Sequence, residues 1–312
     1  EKIWIIGCGE IAQEYALILQ SKRLEFEVIG RGAKSSDNFK NKIKVTPHIG
    51  GVEKTLKTMG PPKYAIIAVN ILELKKVCTA LINRGTKNIL LEKPGGINIE
   101  EIKSLYKISQ KNKTNIYIAY NRRFFSSIIQ AEKLINKDGG IKSINFEFSE
   151  WADEIKNHIA PKEIKKNWVL ANSSHVIDLV FYLCGRPKNW SYYNSGKIDW
   201  HPAAARFCGS GITEKNILFS YSTDWESSGR WGIEIMTSQK RYVFRPFEEL
   251  KFIERNSSKI HLVSLSNDLD KNFKPGYYLQ TSAFIKNDCS KLCKINDHIK
   301  NIEYYGMIAG YI

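Results

Sequence analysis

The chain has 312 residues, of which 43% are apolar and 25% charged, and its formal net charge is +15. This balance is typical of a globular protein, so a largely disordered chain is excluded, and the length allows two domains with sizeable cores. No apolar run reaches the roughly 20 residues of a membrane-spanning helix. The basic residues are spread along the chain, which argues against a nucleic-acid partner and favours small anionic ligands.

The six cysteines are scattered along the chain, and only Cys289 and Cys293 lie close together, at a spacing unlike that of a zinc site. We therefore expect reduced, mostly buried thiols and no metal site. The N-terminus enters an apolar run without a basic segment and a cleavage site, so we expect a cytoplasmic protein without a membrane partner.

The first predicted strand, at residues 3–6, is followed by a glycine-rich turn and then by a helical pattern through Tyr15 and Leu19. The turn has the spacing G-x-G-x-x-A and reads Gly7-Cys8-Gly9-Glu10-Ile11-Ala12. In such a turn the first glycine permits a tight bend, and the second lets the backbone approach a pyrophosphate. We therefore predict that residues 7–11 bind a dinucleotide, with its phosphates at the helix N-terminus.

The second predicted strand, at residues 26–29, is followed by Gly30 and Arg31. Dinucleotide-binding folds usually have an acid here that binds the 2′-hydroxyl of the ribose. An arginine would instead bind a 2′-phosphate, and Lys34 and Ser35 lie close enough in sequence to assist it. The pattern therefore favours NADP, with NAD as the other option, and the alternative is a solvated basic loop.

The next segments alternate between strands, at residues 43–46, 64–69, 88–92 and 115–120, and helices, at residues 72–84 and 99–113. This alternation is typical of right-handed β-α-β units that build a parallel sheet. The carboxyl ends of parallel strands meet at one edge, where ligands bind. We therefore expect one crevice to be lined by Gly7, Arg31, Asn70, Lys93 and Asn121.

The pattern changes after residue 123. A predicted helix at residues 128–137 precedes a strand at residues 141–150, in which Ile144, Phe146 and Phe148 share one face, and further strands follow at residues 217–221, 232–237, 241–244 and 250–254. Strands without intervening helices predict a mostly antiparallel open sheet. The fold class is thus α/β, with a doubly wound Rossmann domain at residues 1–123. An α+β domain for substrate binding and oligomerisation follows at residues 124–312, and its C-terminal helix could pack back on the first domain.

A further helix is predicted from Ser174, as its N-cap, to Gly185. His175 would then lie in the first turn, where the positive end of the helix favours the neutral imidazole that a general base needs. Asp178 lies three residues further on the same face and could orient that ring. The alternative is a structural histidine.

Four motifs occur in order along the chain and resemble those of the Gfo/Idh/MocA family of NAD(P)-dependent sugar oxidoreductases. They are Gly7-Cys8-Gly9-Glu10-Ile11-Ala12, Glu92-Lys93-Pro94, Asn121-Arg122-Arg123-Phe124 and His175-Val176-Ile177-Asp178, and residues 231–235 and 245–250 look like the family's sheet. The resemblance covers essentially the whole chain. It implies a substrate bound between two domains and a homodimer or homotetramer formed through the open sheet.

The resemblance also implies the chemical roles. Lys93 would lie by the nicotinamide and the substrate hydroxyl, with Glu92 and Asn121 among the cofactor contacts, and His175 would serve in acid–base chemistry. A partly desolvated lysine beside a nicotinamide loses affinity for its proton, so it could help to deprotonate a hydroxyl; the alternative is a surface lysine. Many family members have an aspartate four residues before the histidine, where this chain has Ala171.

Arg122, Trp168 and Asp178 are the substrate candidates, because aromatic faces pack on sugars and polar groups bind hydroxyls. Their alternative roles are core packing and salt bridges between the domains. The main hypothesis is an NAD(P)-dependent oxidoreductase that moves a hydride between the nicotinamide and a hydroxyl or keto carbon of a sugar or sugar derivative, with a nucleotide-linked sugar as one option. The other hypothesis is a non-catalytic NADP-binding sensor or regulator, which Ala171 favours.

Overall fold

The structure is a computed structural model that describes residues 2–312. Its strands are β1 (Ile3–Ile6), β2 (Glu27–Gly30), β3 (His48–Ile49), β4 (Tyr64–Ile67), β5 (Asn88–Leu91), β6 (Asn115–Ile118), β7 (Ser143–Glu147), β8 (Pro187–Ser195), β9 (Arg206–Thr213), β10 (Leu218–Asp224), β11 (Gly232–Met236), β12 (Lys240–Phe244), β13 (Lys251–Glu254), β14 (Ile260–Leu262) and β15 (Cys293–Lys294). Its helices are α1 (Glu10–Ser21), α2 (Ala33–Ile43), α3 (Gly51–Met59), α4 (Leu74–Asn83), α5 (Ile99–Asn112), α6 (Ser126–Lys137), α7 (Ala152–Asn157), α8 (Lys162–Lys166), α9 (Ser174–Cys184), α10 (Asp268–Asn272), α11 (Tyr277–Ile285) and α12 (Ile295–Ala309). Short 3-10 turns at Ile71–Glu73 and Asn121–Phe124 and a π-helical turn at Val169–Ser173 join some of them.

The chain forms two compact units. The first contains the residues up to Asn121 together with Asn272–Ile299, and the second contains Arg122–Lys271 and Lys300–Ile312. The expected domains, residues 1–123 and 124–312, divide the chain at one point. In the structure, residues 272–299 belong to the first unit although they follow most of the second unit in sequence. Within that unit α11 packs against α1, and β15 pairs with β6.

The first unit is built on a sheet with the order β15-β6-β5-β4-β1-β2-β3. β1 to β6 run parallel, and β15 adds an antiparallel edge strand. Their order is that of a doubly wound dinucleotide-binding fold. Ile5 in the middle strand lies opposite Val28 and Ile66, and all three are fully buried. The predicted parallel Rossmann sheet is therefore confirmed.

The strand predicted at residues 43–46 is wrong. α2 continues through Ile43 because Phe39 and Ile43, one helical turn apart, are both buried. The helix ends at Lys44, whose φ of 63° is left-handed. The third strand is β3, which pairs with β2 further along the chain.

The second unit contains a sheet with the order β14-β13-β12-β11-β7-β10-β9-β8. β7 and β10 run parallel, and the other neighbours are antiparallel. Ile144, Phe146 and Phe148 are buried, as their alternation predicts, and α9 packs on β7 and β11. The predicted mostly antiparallel sheet is confirmed.

All six cysteines are free, and four of them are buried, which agrees with the expected reduced thiols. Within residues 2–312, no helix combines the length and the apolar character that crossing a membrane requires.

Candidate cofactor and substrate sites

The glycine turn after β1 is shaped by two glycines with different roles. Gly7 has a φ of +122°, its N–H donates to the carbonyl of Ile29 at 2.9 Å, and a Cβ at this position would collide with the carbonyl oxygen of Ala68. The close packing of β1 on its neighbours therefore requires glycine here.

Gly9 has an ordinary φ of −77° and forms the N-cap of α1. A Cβ built on it would meet no atom of the described residues within 4 Å. The protein's own packing thus leaves this space open in front of the first N–H groups of α1, where Glu10 is exposed and Ile11 half-buried. An open space at a helix N-terminus fits the pyrophosphate of a dinucleotide, which a side chain at Gly9 would obstruct.

A cavity of about 390 Å³ lies at the carboxyl ends of β1, β2 and β4. Its lining includes six of the residues that the sequence assigned to the cofactor: Gly7, Cys8, Gly9, Arg31, Ser35 and Asn70. This volume is in the range of small-molecule sites, which is about 300–1,000 Å³. The prediction that these strand ends form one crevice is confirmed for β1, β2 and β4.

The end of β2 carries a glycine that is closely packed by two side chains. A Cβ on Gly30 would collide with Ser36 Oγ and lie 2.8 Å from Cys8 Sγ. The Cys8 thiol is buried, and its burial raises its pKa. α2 begins three residues later with no acidic residue in its first turn, where Lys34 is exposed and Ser35 Oγ donates to the carbonyl of Gly32 at 3.2 Å.

Arg31 has a partner that sequence reasoning missed. Its Nη1 lies 3.2 Å from Oε1 of Glu73, with side-chain exposures of 81% and 34%. Glu73 ends the short turn after β4, which begins at Asn70, whose Oδ1 accepts from the N–H of Leu72 at 3.0 Å. No sequence signal connects Arg31 with Glu73, because the two residues are 42 positions apart on different strand ends.

Glu92, expected to contact the cofactor, is buried between two helices. Its Oε1 accepts from the hydroxyl of Tyr15 on α1 at 2.7 Å and from that of Tyr277 on α11 at 3.2 Å. Burial raises the pKa of Glu92, while these hydroxyls and the ammonium of Lys93 oppose the rise. The carboxyl group therefore ties α1 and α11 to the end of β5.

Lys93 follows directly and is half-buried. It precedes Pro94 across a cis peptide bond, and the carbonyl of Pro94 accepts from Nε2 of the buried His298 at 2.8 Å. This contact fixes the segment that carries the lysine. Asn121, at the end of β6, is also buried, and its Nδ2 donates to the carbonyl of Pro275 at 2.9 Å.

In the second unit, the expected N-cap at Ser174 is wrong. The π-helical turn at Val169–Ser173 runs directly into α9, and Ser174 Oγ donates back to the carbonyl of Leu170 at 2.6 Å. His175 therefore lies within a continuous helical segment instead of at an open N-terminus. The argument that the helix dipole favours its neutral form does not hold.

Two of the candidate side chains, His175 and Arg122, converge on the buried Trp231 together with Arg230. The ring of His175 lies 6.2 Å from that of Trp231, and the guanidinium groups of Arg122 and Arg230 lie 4.7 and 5.1 Å from its centroid. Arg230 also lies 4.6 Å from the ring of Trp151, which is 46% exposed. This arrangement offers two cations and an aromatic face beside a histidine that is 7% exposed.

Glu150 belongs to the same group and was missed. Its Oε1 accepts from Asn172 Nδ2 at 2.9 Å and Ser173 Oγ at 2.8 Å, and its Oε2 lies 3.2 Å from Arg230 Nη1. Burial raises its pKa, and these donors oppose the rise. The alternation that places Phe148 inward also places Glu150 inward. A carboxylate on an otherwise apolar face of the strand was therefore the sequence signal that could have identified Glu150 as a buried, hydrogen-bonded group.

Two substrate candidates have other contacts. Asp178 is 1% exposed and pairs with Arg123 in a bidentate manner, at 2.8 Å from Nε and 2.6 Å from Nη2. Trp168 packs edge-to-face against Trp200, with ring centroids 6.2 Å apart. Within residues 2–312, no group of three or more His, Cys, Asp or Glu side chains is arranged to hold a metal ion.

Residues 2–120 match the model of the Gfo/Idh/MocA family, which is described as an oxidoreductase family with an NAD-binding Rossmann fold. Over these residues the first unit is therefore similar to the family's NAD-binding Rossmann domain. No curated protein matches the sequence. The Gfo/Idh/MocA match covers the glycine turn, the cavity and the Glu92-Lys93-Pro94 motif.

Solved structures share the fold over both units at low sequence identity. The dehydrogenase MviM from Clostridium difficile has a TM-score of 0.78 at 17% identity, over 100% of this chain and 99% of that chain. UDP-N-acetylglucosamine 3-dehydrogenase GnnA from Acidithiobacillus ferrooxidans has a TM-score of 0.73 at 13% identity, over 98% and 96%. Levoglucosan dehydrogenase, in complex with NADH and L-sorbose, has a TM-score of 0.78 at 14% identity, over 99% and 96%.

Proposed function

We propose that the protein is an NADP-preferring oxidoreductase that transfers a hydride between the nicotinamide and a hydroxyl or keto carbon of a sugar or sugar derivative. The observation that carries the proposal is the cavity at the glycine turn. It combines an open space at Gly9, a closely packed glycine at position 30 in place of an acid, and a cation at Arg31.

The residues of the first unit fit a dinucleotide phosphate. Backbone N–H groups at residues 7–11 would hold the pyrophosphate, and Arg31, Lys34 and Ser35 would hold a 2′-phosphate at the start of α2. Asn70 and the segment of Lys93 would lie on the nicotinamide side. When bound, the cofactor supplies the redox chemistry, and the protein contributes binding, orientation and management of one proton.

We propose that two side chains act on the proton of the substrate hydroxyl. Lys93 would polarise the substrate hydroxyl from its Nζ, and His175 would exchange the proton at a ring nitrogen. Ala171 leaves no aspartate one turn before His175. Asp178, the nearest alternative in sequence, is already held on both oxygens by Arg123.

The substrate proposal rests on the second unit. Guanidinium groups bind carboxylates and phosphates, and the face of an indole packs on the apolar face of a sugar. Arg122, Arg230 and Trp231 together favour a sugar that carries a phosphate, a nucleotide or a carboxylate. Two of the solved structures with this fold are named as sugar dehydrogenases, one of them for a nucleotide-linked sugar.

We extend the proposal to assembly and location. Several apolar side chains on the second sheet are exposed, including Tyr193 at 69%, Leu218 at 59% and Leu262 at 68%. These side chains would be covered in a homodimer or homotetramer, which sedimentation analysis would detect. The six free thiols fit a reducing cytoplasm.

The second candidate function is a non-catalytic NADP-binding sensor, which Ala171 favours because the family's usual relay is incomplete. His175→Asn and Lys93→Met separate the two functions once a substrate has been found. Each should abolish most turnover while NADPH binding persists if the protein is an enzyme. If both variants turn over as the wild type does, the catalytic assignment is wrong.

The test of the cofactor is a fluorescence titration with NADPH and with NADH. Arg31→Ala should weaken NADPH binding by about 1–3 kcal/mol, or roughly 5- to 150-fold in Kd, which is the loss expected for a charge-assisted hydrogen bond. Lys40→Ala, an exposed charge later on α2, is the matched control and should leave both affinities unchanged. If NADPH and NADH bind equally to wild type and to Arg31→Ala, the NADP preference is wrong.

A further inference from the structure

The cavity of the first unit is lined by two carboxylates, Glu53 and Glu73, and neither of them stands at the end of the second strand. The end of the second strand carries Gly30 in place of the usual acid, and a Cβ there would collide with Ser36 Oγ and lie 2.8 Å from Cys8 Sγ. Ser36 is itself fixed, because its Oγ donates to the carbonyl of Gly32 at 2.8 Å. A side chain at Gly30 would therefore displace the Ser36 hydroxyl from this hydrogen bond.

Glu73 brings a carboxylate to the same cavity from another strand. The turn after β4 is closed by the N–H of Glu73, which donates to the carbonyl of Asn70 at 2.9 Å. The Glu73 carboxylate lies 3.2 Å from Arg31, and both residues line the cavity. The cation expected to bind a 2′-phosphate is therefore already paired with an anion.

The charged side chains that line the cavity include two positive and two negative groups. Arg31 and Lys76 are positive, and Glu53 and Glu73 are negative. A ribose 2′-hydroxyl can donate to a carboxylate, so Glu73 suits NAD. A 2′-phosphate would have to replace Glu73 as the partner of Arg31, and the Glu73 carboxylate would repel it. Because the Arg31 side chain is 81% exposed, its pairing with Glu73 is weak and can be displaced by a phosphate.

We propose that Glu73 is a specificity-determining residue that sets the ratio of NADPH to NADH affinity by competing with the 2′-phosphate for Arg31. The proposal rests on the proposed function, since it requires a dinucleotide in this cavity. It implies that the protein accepts both cofactors and that its preference for NADPH is held below what Arg31 alone would give.

The experiment measures Kd values for NADPH and NADH, and for the fragments adenosine 2′,5′-bisphosphate and AMP, on wild type, Glu73→Gln, Arg31→Ala and the double variant. Glu73→Gln should strengthen binding of the two 2′-phosphorylated ligands by roughly 3- to 10-fold and should not strengthen binding of NADH or AMP, since a charge-assisted competitor is removed. In the Arg31→Ala background the same substitution should change the ratio less, because the two residues act as one unit.

Asp37→Asn is the matched control. Asp37 is exposed on α2 and loses the same charge, but it is not part of the cavity lining, so the affinity ratio should stay within about twofold of wild type. Thermal unfolding of each variant establishes that it is folded.

The inference is overturned if Glu73→Gln changes NADPH and NADH affinity by the same factor, or if its effect is undiminished in the Arg31→Ala background. If the variants give either of these results while the wild-type protein binds both dinucleotides, the proposed function still stands and only the role of Glu73 is wrong. A wild-type protein that binds neither dinucleotide would lose both.

Discussion

The Arg123–Asp178 pair gives the most direct test of how a candidate substrate residue is used. Its two side chains are 8% and 1% exposed, the contacts are 2.8 and 2.6 Å, and Tyr305 adds a third donor to Asp178 at 3.4 Å. Asp178→Asn would leave the Arg123 guanidinium buried without its anion. Breaking a buried pair in this way costs about 3–5 kcal/mol.

For a unit of this size that loss corresponds to a fall in Tm of about 6–20 °C. Calorimetry or urea unfolding followed by tryptophan fluorescence would measure it. The control is Glu226→Gln, which removes an equally short ion pair to Arg206, at 2.7 Å, whose side chains are 50% and 41% exposed. That exposed pair should contribute only about 0–1 kcal/mol.

Two results would refute this reasoning. One is an equal, small loss of stability in Asp178→Asn and Glu226→Gln, since burial would then have no effect. The other is an Asp178→Asn variant that keeps its Tm and loses turnover, which would return Asp178 to the substrate site. The double variant Arg123→Met/Asp178→Leu should recover much of the lost stability, because it removes both buried charges.

Three further predictions follow from the glycine turn and from a buried histidine. Gly9→Ala should keep the wild-type Tm within about 2 °C but weaken NADPH binding at least tenfold in a titration, because its Cβ enters open space at the helix N-terminus. Gly7→Ala should instead lower the Tm itself, because its Cβ would collide with the carbonyl of Ala68 at a φ of +122°. Burial lowers the pKa of His201 to about 4. The unfolded chain therefore takes up this proton below about pH 6.5, and urea unfolding should show about 3 kcal/mol of stability lost between pH 6.5 and 4, a slope that His201→Gln should remove.

The first elements of the first unit, β1, the glycine turn and α1, could be predicted from the sequence because their signals are local. The apolar run of β1, the glycine spacing and the helical period of α1 lie within about twenty residues of one another. Their consequence, a cavity at the strand ends, followed from the geometry of parallel sheets. No local signal predicted that residues 272–299 belong to the first unit, because β6, the partner strand of β15, lies far away in sequence.

The error at Ser174 has a physical cause, which is contact between residues distant in sequence. Ser174 has the residue type of an N-cap, but the helical backbone before it is held by Glu150, which accepts from Ser173 on the preceding turn. A local pattern was thus overridden by a partner that only the fold supplies. Glu92 stays a predicted cofactor contact, and the fold adds two partners that the sequence did not indicate, the hydroxyls of Tyr15 and Tyr277.

The same contacts narrow the assignment of proton chemistry. A general acid or base must have a lone pair or proton that the fold has not already committed. Glu92 accepts from two tyrosine hydroxyls, Glu150 from Asn172, Ser173 and Arg230, and Asp178 from Arg123 on both oxygens. These contacts tie the buried carboxylates to helix and strand ends. Under the proposed function, His175 and Lys93 handle the substrate proton without a third group. Loss of either should therefore lower turnover more than it would in a relay of three groups.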